Sequence, residues 1–393
     1  MKRLKRHNKM KVVYALEEFP NEYTKSIFLA GPTPRSKTEK SWRVEAISIL
    51  EKLGYDGVVF VPEQKGKFKD YSKQIEWETE GLNRADCIIF WINRELREDF
   101  ENIGLTTNIE WGKWSSSGKV VIGFPDDSPR NKYIRYNAKE LGLKVNKTLN
   151  ETISNALSMI GNGSYRKNGE CYVPLHIWKS DEFQNWYISQ IKVGNELKYA
   201  KVNYSFFMPR DKKLFLWILH VHVYIKDEDR IKKNEFILSR TNTYNVVLYK
   251  KGRTIDDTQV VLVREFRSPS NNDECFVYEI PGGSSTINDK GINVIKDEVY
   301  EELGVKIQKD RFNFIESRQD SATLCIHKAH LYSVELSDDE FNEIKEESKF
   351  THGVKEDSEL TYIVITTLKE ILSKKLLDWQ NIGKIFRVLY KVF

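Results

Sequence analysis

Three glutamates, Glu298, Glu301 and Glu302, stand at i, i+3 and i+4, a spacing that gathers their carboxylates on one flank of a helix. Ile292, Ile295, Val299 and Leu303 fall on another face, so apolar residues pack beneath while negative charge collects beside them. Carboxylates this close repel one another unless a cation neutralises them. An all-oxygen set without His or Cys points to Mg2+, with Mn2+ as the alternative. Such an ion neutralises phosphate oxygens and activates water, which is the chemistry of pyrophosphate cleavage. The same spacing also suits a solvated acidic helix face. A fourth carboxylate, Glu110, follows the Gly/Thr-rich stretch Gly104-Leu105-Thr106-Thr107 and is expected to open a helix. There it either attacks an anomeric carbon, as in retaining glycoside chemistry, or simply complements the helix dipole.

Two differently patterned regions must position these residues. From residue 11 to 159, short apolar runs (11–15, 26–30, 57–61, 87–92 and 119–124) alternate with helical stretches (41–53, 74–83, 110–115 and 149–160). That alternation predicts a parallel sheet covered on both faces. The run 26–30 ends in the tight turn Gly31-Pro32, and ligands gather at such strand ends. Neither GxGxxG nor GxxxxGK[ST] occurs, which excludes standard dinucleotide and P-loop domains. Gly161-Asn162-Gly163-Ser164 is small, polar and turn-prone, and is the expected linker. Beyond it, mostly short strands surround one conspicuous helix, 292–303, and a terminal helix is expected over 378–392.

The chain has 393 residues, enough for two to three domains. Apolar residues make up 40% and charged residues 30%, which excludes collagen-like, disulfide-scaffold and mainly disordered classes. The net charge of +5 is concentrated at the start, where Lys2, Arg3, Lys5, Arg6, Lys9 and Lys11 stand without an acid. The remainder is close to neutral, which gives nucleic-acid binding little support. Four cysteines (Cys87, Cys171, Cys275 and Cys325) lie far apart without a CxxC pair. This argues against a zinc site or a disulfide framework and suits a reducing, cytoplasmic setting. No run approaches the ~20 apolar residues that span a bilayer, so no membrane partner is expected.

The segment from Gly282-Gly283 to Gly304-Val305 resembles the Nudix box: Gly, five residues, Glu, seven residues, then Arg-Glu-apolar-x-Glu-Glu-x-Gly-apolar. Gly283, Glu298, Val299, Glu301, Glu302, Gly304 and Val305 occupy matching places. Asp289 replaces the first Glu, and Asp297 replaces the Arg that in the family orients a metal-binding Glu. Val261-Leu262-Val263-Arg264-Glu265-Phe266-Arg267 and Glu279-Ile280-Pro281-Gly282-Gly283 look like the ADP-ribose pyrophosphatase branch. The resemblance covers 215–393. It implies metal ligation by Glu298, Glu301 and Glu302, with Glu302 also catalytic. It further implies a catalytic acid in the loop Glu356-Asp357-Ser358-Glu359, at Glu356 or Glu359. Arg264, Arg267 and Gly283 would bind substrate, since a guanidinium fork matches diphosphate oxygens.

In the first half, Ser26-Ile27-Phe28-Leu29-Ala30-Gly31-Pro32, Gln74-Ile75-Glu76-Trp77-Glu78 and the segment ending in Glu110-Trp111-Gly112 together resemble the nucleoside 2-deoxyribosyltransferase-like family. The resemblance covers 11–160 and implies a flavodoxin-like sheet. It implies Glu110 as the sugar-attacking nucleophile and Glu78 as an acid that handles the leaving base or the sugar. Gly31 and Pro32 would shape the pocket floor, with Trp77, Trp91 and Trp111 as walls for base stacking. The acid that deoxyribosyltransferases carry shortly before their nucleophile is missing, because that stretch reads Gly104-Leu105-Thr106-Thr107. Hydrolysis and transfer therefore both stay open.

The expected architecture is an α/β flavodoxin-like parallel-sheet domain over 1–160, followed by an α+β Nudix α/β/α sandwich over 165–393 with an extension at 165–214. The expected function is a bifunctional nucleotide-metabolising enzyme. One domain would cleave or transfer an N-glycosidic bond, and the other would hydrolyse a nucleoside diphosphate derivative of ADP-ribose type with Mg2+. The alternative is that the second domain is a nucleotide sensor regulating the first. Small-molecule nucleosides and nucleotides are the expected partners, and both resemblances imply a homodimer.

Overall fold

The computed structural model describes residues 9–34, 40–66, 70–97, 100–209, 212–284, 291–354 and 359–393. The chain divides into two compact units, Met1–Ser239 and Arg240–Phe393. Among the described residues no helix is long and apolar enough to cross a membrane, and the four cysteines are free.

The first unit is built on a six-stranded sheet. Its strands are β1 (Lys11–Tyr14), β2 (Ser26–Ala30), β3 (Val58–Val61), β4 (Cys87–Trp91), β5 (Val120–Gly123) and β6 (Val145–Asn146). Every pairing is parallel, and the spatial order is β1-β3-β2-β4-β5-β6. Leaving aside the edge strand β1, this is the doubly wound order of flavodoxin-like folds, with its switch point between β2 and β4. The central strands are buried from end to end, which is why they read as unbroken apolar runs. Odd and even positions serve different faces. Ile27, Leu29, Val59, Val61 and Ile89 pack under helices α1 (Trp42–Lys52) and α5 (Leu149–Ile160) through Ala46, Ile49, Leu50, Ile153 and Ala156. Phe28 and Phe90 face the other way, onto Trp77 of helix α2 (Tyr71–Arg84) and Trp111 of helix α3 (Leu105–Trp114). Helix α4 (Lys132–Glu140) docks beside α3, where the Trp111 indole N–H donates to Asn137 Oδ1 (2.9 Å).

Residues 161–239, most of which the sequence attaches to the second domain, group with the first unit. Arg166 is buried against Asp86, the Asn83 amide donates to the Ala200 carbonyl (2.9 Å), and the Tyr23 hydroxyl donates to the Cys171 carbonyl (3.0 Å). A three-stranded antiparallel sheet, Glu196–Phe207, Leu214–Ile225 and Arg230–Arg240, completes this region.

The second unit is an eight-stranded mixed sheet with helices on both faces. Its main path runs Asn313–Arg318, Ala329–Glu335, Thr243–Lys250, Gln259–Phe266, Thr361–Thr367 and Thr351–His352. Phe276–Glu279 and Gly282–Ser284 add to the central strands. Val246, Leu248, Val261 and Val263 bury against helices Ile292–Leu303 and Asp338–Glu347. The alternate residues Val247, Tyr249, Val260 and Leu262 bury against helices Leu368–Lys374 and Trp379–Leu389. Period-two alternation thus supplies two cores from the same strands.

Candidate active site

Strand β2 ends at Ala30, and the chain turns at Gly31 beside the end of β4. A Cβ on Gly31 would lie 2.2 Å from the Trp91 carbonyl oxygen, and its φ of +149° is one that side chains rarely adopt. Only glycine lets the two strand ends approach this closely. The turn is fixed from below by α1. The Trp42 indole N–H donates to the Pro32 carbonyl (3.1 Å). Arg43, 1% exposed, ties this loop to the end of strand β3 through its guanidinium. Its Nε donates to the Leu29 carbonyl (2.9 Å), Nη2 to the Gly31 carbonyl (2.7 Å), and Nη1 to Thr33 Oγ1 (3.0 Å) and Glu63 Oε1 (2.7 Å).

Above this floor lies a cavity of about 670 Å3, at the carboxyl ends of the strands and beside the switch point. Gly31, Pro32 and Arg43 line it from one side, Gln64, Gln74 and Glu78 from another, and Thr107 and Glu110 from a third. Glu78 sits on α2. The Gln74 Nε2 group one turn earlier donates to Glu78 Oε1 (2.8 Å) and to the Pro62 carbonyl (3.2 Å). Gln64 Nε2 in turn donates to Gln74 Oε1 (2.8 Å).

Glu110 does not open its helix. α3 starts at Leu105, after Gly104 in the left-handed conformation, so Glu110 lies in the second turn. The helix dipole acts mainly on the first turn and would favour the charged carboxylate. The opposite is found: burial, then the nearby charge of Glu78, push the Glu110 carboxyl up to about 8, despite Arg43 and Lys113. The dipole-complement reading of Glu110 fails on both position and sign. Glu78 is also raised by burial, with the Gln74 hydrogen bond and Arg43 opposing. Two desolvated carboxyls facing one cavity is the arrangement expected of groups tuned for proton and bond chemistry.

The tryptophans expected as pocket walls are elsewhere. Trp77 is buried, stacks on Phe19 (4.9 Å between ring centroids) and donates its indole N–H to the Glu17 carbonyl (2.8 Å). Adjacent helical residues point about 100° apart, so Glu78 facing the cavity turns Trp77 into the core. Trp91 and Trp111 are likewise core residues. Arg43, Gln64, Gln74 and Thr107 are cavity residues that the sequence reading passed over. For Arg43 a signal existed: it shares a helix face with Ala46 and Leu50, and a lone cation at a buried position asks for partners.

In the second unit the carboxylate helix Ile292–Leu303 packs Ile295, Val299 and Leu303 into the core as expected. Glu302 is buried, and its Oε2 accepts the Gly282 N–H (3.0 Å). Burial and the charge of Glu298 hold its carboxyl well above the usual range. Glu298 is pushed up to about 7 by burial and by Glu301, Glu359 and Asp297, with Arg267 opposing. A Cβ on Gly283 would lie 2.0 Å from Glu298 Oε1, so this glycine admits the carboxylate against the backbone. Arg267 pairs with Glu265 (2.9 Å), whereas Arg264 is taken up by Glu274 (3.0 Å) and by the Phe276 ring. Glu359 reaches the cluster electrostatically, while Glu356 and Asp289 lie outside the described residues. The donors are all hard oxygens, the chemistry of Mg2+ or Mn2+. Among the described residues, however, no three of them converge closely enough to hold a metal ion.

No curated protein matches the chain. Residues 24–128, which run from β2 through α3 to β5 and carry Gly31, Glu78 and Glu110, match the family model described as nucleoside 2-deoxyribosyltransferase like. The first unit therefore contains a nucleoside 2-deoxyribosyltransferase-like domain.

Proposed function

We propose that the first unit cleaves or transfers the N-glycosidic bond of a nucleoside or nucleotide through a glycosyl ester on Glu110. The observation that carries this reading is the pair of desolvated carboxyls, Glu78 and Glu110, facing one cavity at the sheet's switch point. An electron pair of the Glu110 carboxylate forms the bond to C1′ while the C1′–N bond breaks toward the base, which leaves with a proton. Glu78 handles the departing base. Water then opens the ester in hydrolysis, or a second base in transfer. A panel of nucleosides and nucleotides, followed by mass spectrometry for free base and for glycosylated protein, tests it. Base release that Glu110→Ala leaves undiminished, or no release from any substrate, sinks the reading.

For the second unit, the raised carboxyls of Glu298 and Glu302 beside Gly282 and Gly283 favour hydrolysis of a nucleoside diphosphate derivative of ADP-ribose type. The described carboxylates do not form a coordination sphere, so no step is assigned to a metal. Incubation with ADP-ribose and Mg2+, with Glu302→Gln as control, gives AMP if the unit is a hydrolase. Binding without turnover marks it as a nucleotide sensor.

A further inference from the structure

The amide of Gln74 can face only one way. Its Nε2 lies against the Pro62 carbonyl (3.2 Å), an oxygen that accepts and never donates. Its Oε1 receives the Gln64 amide (2.8 Å). The remaining N–H of Nε2 must therefore point at Glu78 Oε1 (2.8 Å), so that oxygen acts as an acceptor. A hydrogen bond donated to a carboxylate favours its charged form. Glu110 receives no such donor among the described residues. The other charged groups around the pair are Arg43, Glu63 and Lys113. Arg43 is committed to Leu29, Gly31, Thr33 and Glu63 and donates to neither member of the pair.

We propose that Gln74 is a positioning residue that holds Glu78 in its charged form, so that the one proton kept by the pair before substrate binds rests on Glu110. This rests on reading the cavity as the active site, and it adds an order of events. The nucleophile is masked until a substrate with a basic ring nitrogen enters. The Glu110 O–H bond then breaks as its proton passes by way of Glu78 to the base, where an N–H bond forms, and the freed Glu110 carboxylate attacks C1′ from the opposite face as the C1′–N pair passes to the base. The electrostatics agree in direction: burial and the charge of Glu78 push the Glu110 carboxyl up to about 8, whereas at Glu78 the Gln74 hydrogen bond opposes the effect of burial. Bases that cannot accept a proton would leave the nucleophile masked.

Infrared titration of the carboxylic-acid C=O band in the full-length, substrate-free protein tests this without relying on turnover. At pH 7 a protonated carboxyl should be present that Glu110→Gln removes and Glu78→Gln does not. A second carboxyl, absent in Glu78→Gln, should titrate at lower pH. Gln74→Met should raise that lower step by about one pH unit, the loss expected for one hydrogen bond to a charged group, and leave the upper step in place. A band at pH 7 that belongs to Glu78, or a lower step unmoved by Gln74→Met, overturns the proposal. Should Gln74→Met not fold, the two glutamate variants still decide which carboxyl keeps the proton. Failure to cleave any nucleoside would overturn the functional reading while leaving this titration pattern intact.

Discussion

Arg166 grips Asp86 with both arms of its guanidinium, Nη1 to Oδ1 and Nη2 to Oδ2, each at 2.6 Å, and neither side chain is exposed. Asp86 also accepts the Ser26 N–H (2.9 Å) and hydroxyl (3.1 Å), and Arg166 donates to the Val173 carbonyl (2.7 Å). The pair ties the segment after the expected linker to the amino ends of β2 and β4, opposite the cavity. Removing one partner strands a buried charge, which costs about 3–5 kcal/mol. Arg166→Met should lower denaturant stability of the first unit by that amount while KM for its substrate is unchanged. Asp86→Leu combined with Arg166→Met should recover much of the loss. A double variant no more stable than the single would show that the pair is not what holds the segment.

The same pair shows why the domain boundary was hard to read. Gly161-Asn162-Gly163-Ser164 has the composition of a linker, yet Ser164 N–H donates to the Thr24 carbonyl (2.8 Å) and Arg166 follows at once. Composition reports turn propensity, whereas partners 80 residues away decide packing. The buried strands and the helix Ile292–Leu303 were legible because burial imposes unbroken apolar runs and a 3.6-residue period. Helix Lys132–Glu140 was not, since only Ile134 and Ala138 are buried. In the cavity, Glu78 and Glu110 were legible through their motifs. Gln64 and Gln74 were not, because a buried amide relay leaves no periodic mark.

Glu110 carries a pH signature for stability. Its folded carboxyl titrates at about 8, above its unfolded value, so the folded state binds more protons between the two. That contribution is fully present below the unfolded value and is lost as pH rises through about 8. Glu110→Gln should flatten the fall in the first unit's unfolding midpoint between pH 5 and pH 8. It should also cut base release by roughly 1000-fold or more, because an amide cannot form the ester. In the wild type, kcat/KM should drop on the alkaline side near pH 8, where the pair loses the proton the leaving base requires. A pH-independent midpoint in the wild type would contradict this account.

Gly31 is the narrowest steric point of the site. Gly31→Ala would place a methyl 2.2 Å from the Trp91 carbonyl at a φ of +149°, so backbone and strand end must shift. The expected cost is about 2–4 kcal/mol, from strain and lost packing. Because Arg43 donates to the Gly31 carbonyl, the shift should reach the cavity and raise KM as well. Gly54→Ala, also at positive φ but with open space around the new methyl, is the control that carries the strain alone. Equal losses from both substitutions would mean that the close approach to Trp91 contributes nothing.

Glu302 tests the second unit. Its buried carboxyl is held well above the usual range, so the same sign applies: its contribution to stability is fully present at low pH and is lost as pH rises and the charge is forced on. A glutamine has the same shape, and its amide oxygen can still accept the Gly282 N–H, so Glu302→Gln should fold and stand higher than the wild type at pH 8. If Glu298, Glu301 and Glu302 recruit Mg2+ once charged, adding Mg2+ at pH 8 should raise the wild-type midpoint of this unit. The midpoint of Glu302→Gln should respond much less, because one anionic ligand is gone. A midpoint that Mg2+ leaves unmoved in the wild type would remove the cation from the account. The carboxylates would then be a charge cluster relieved only by protonation, and the unit a candidate for binding without hydrolysis.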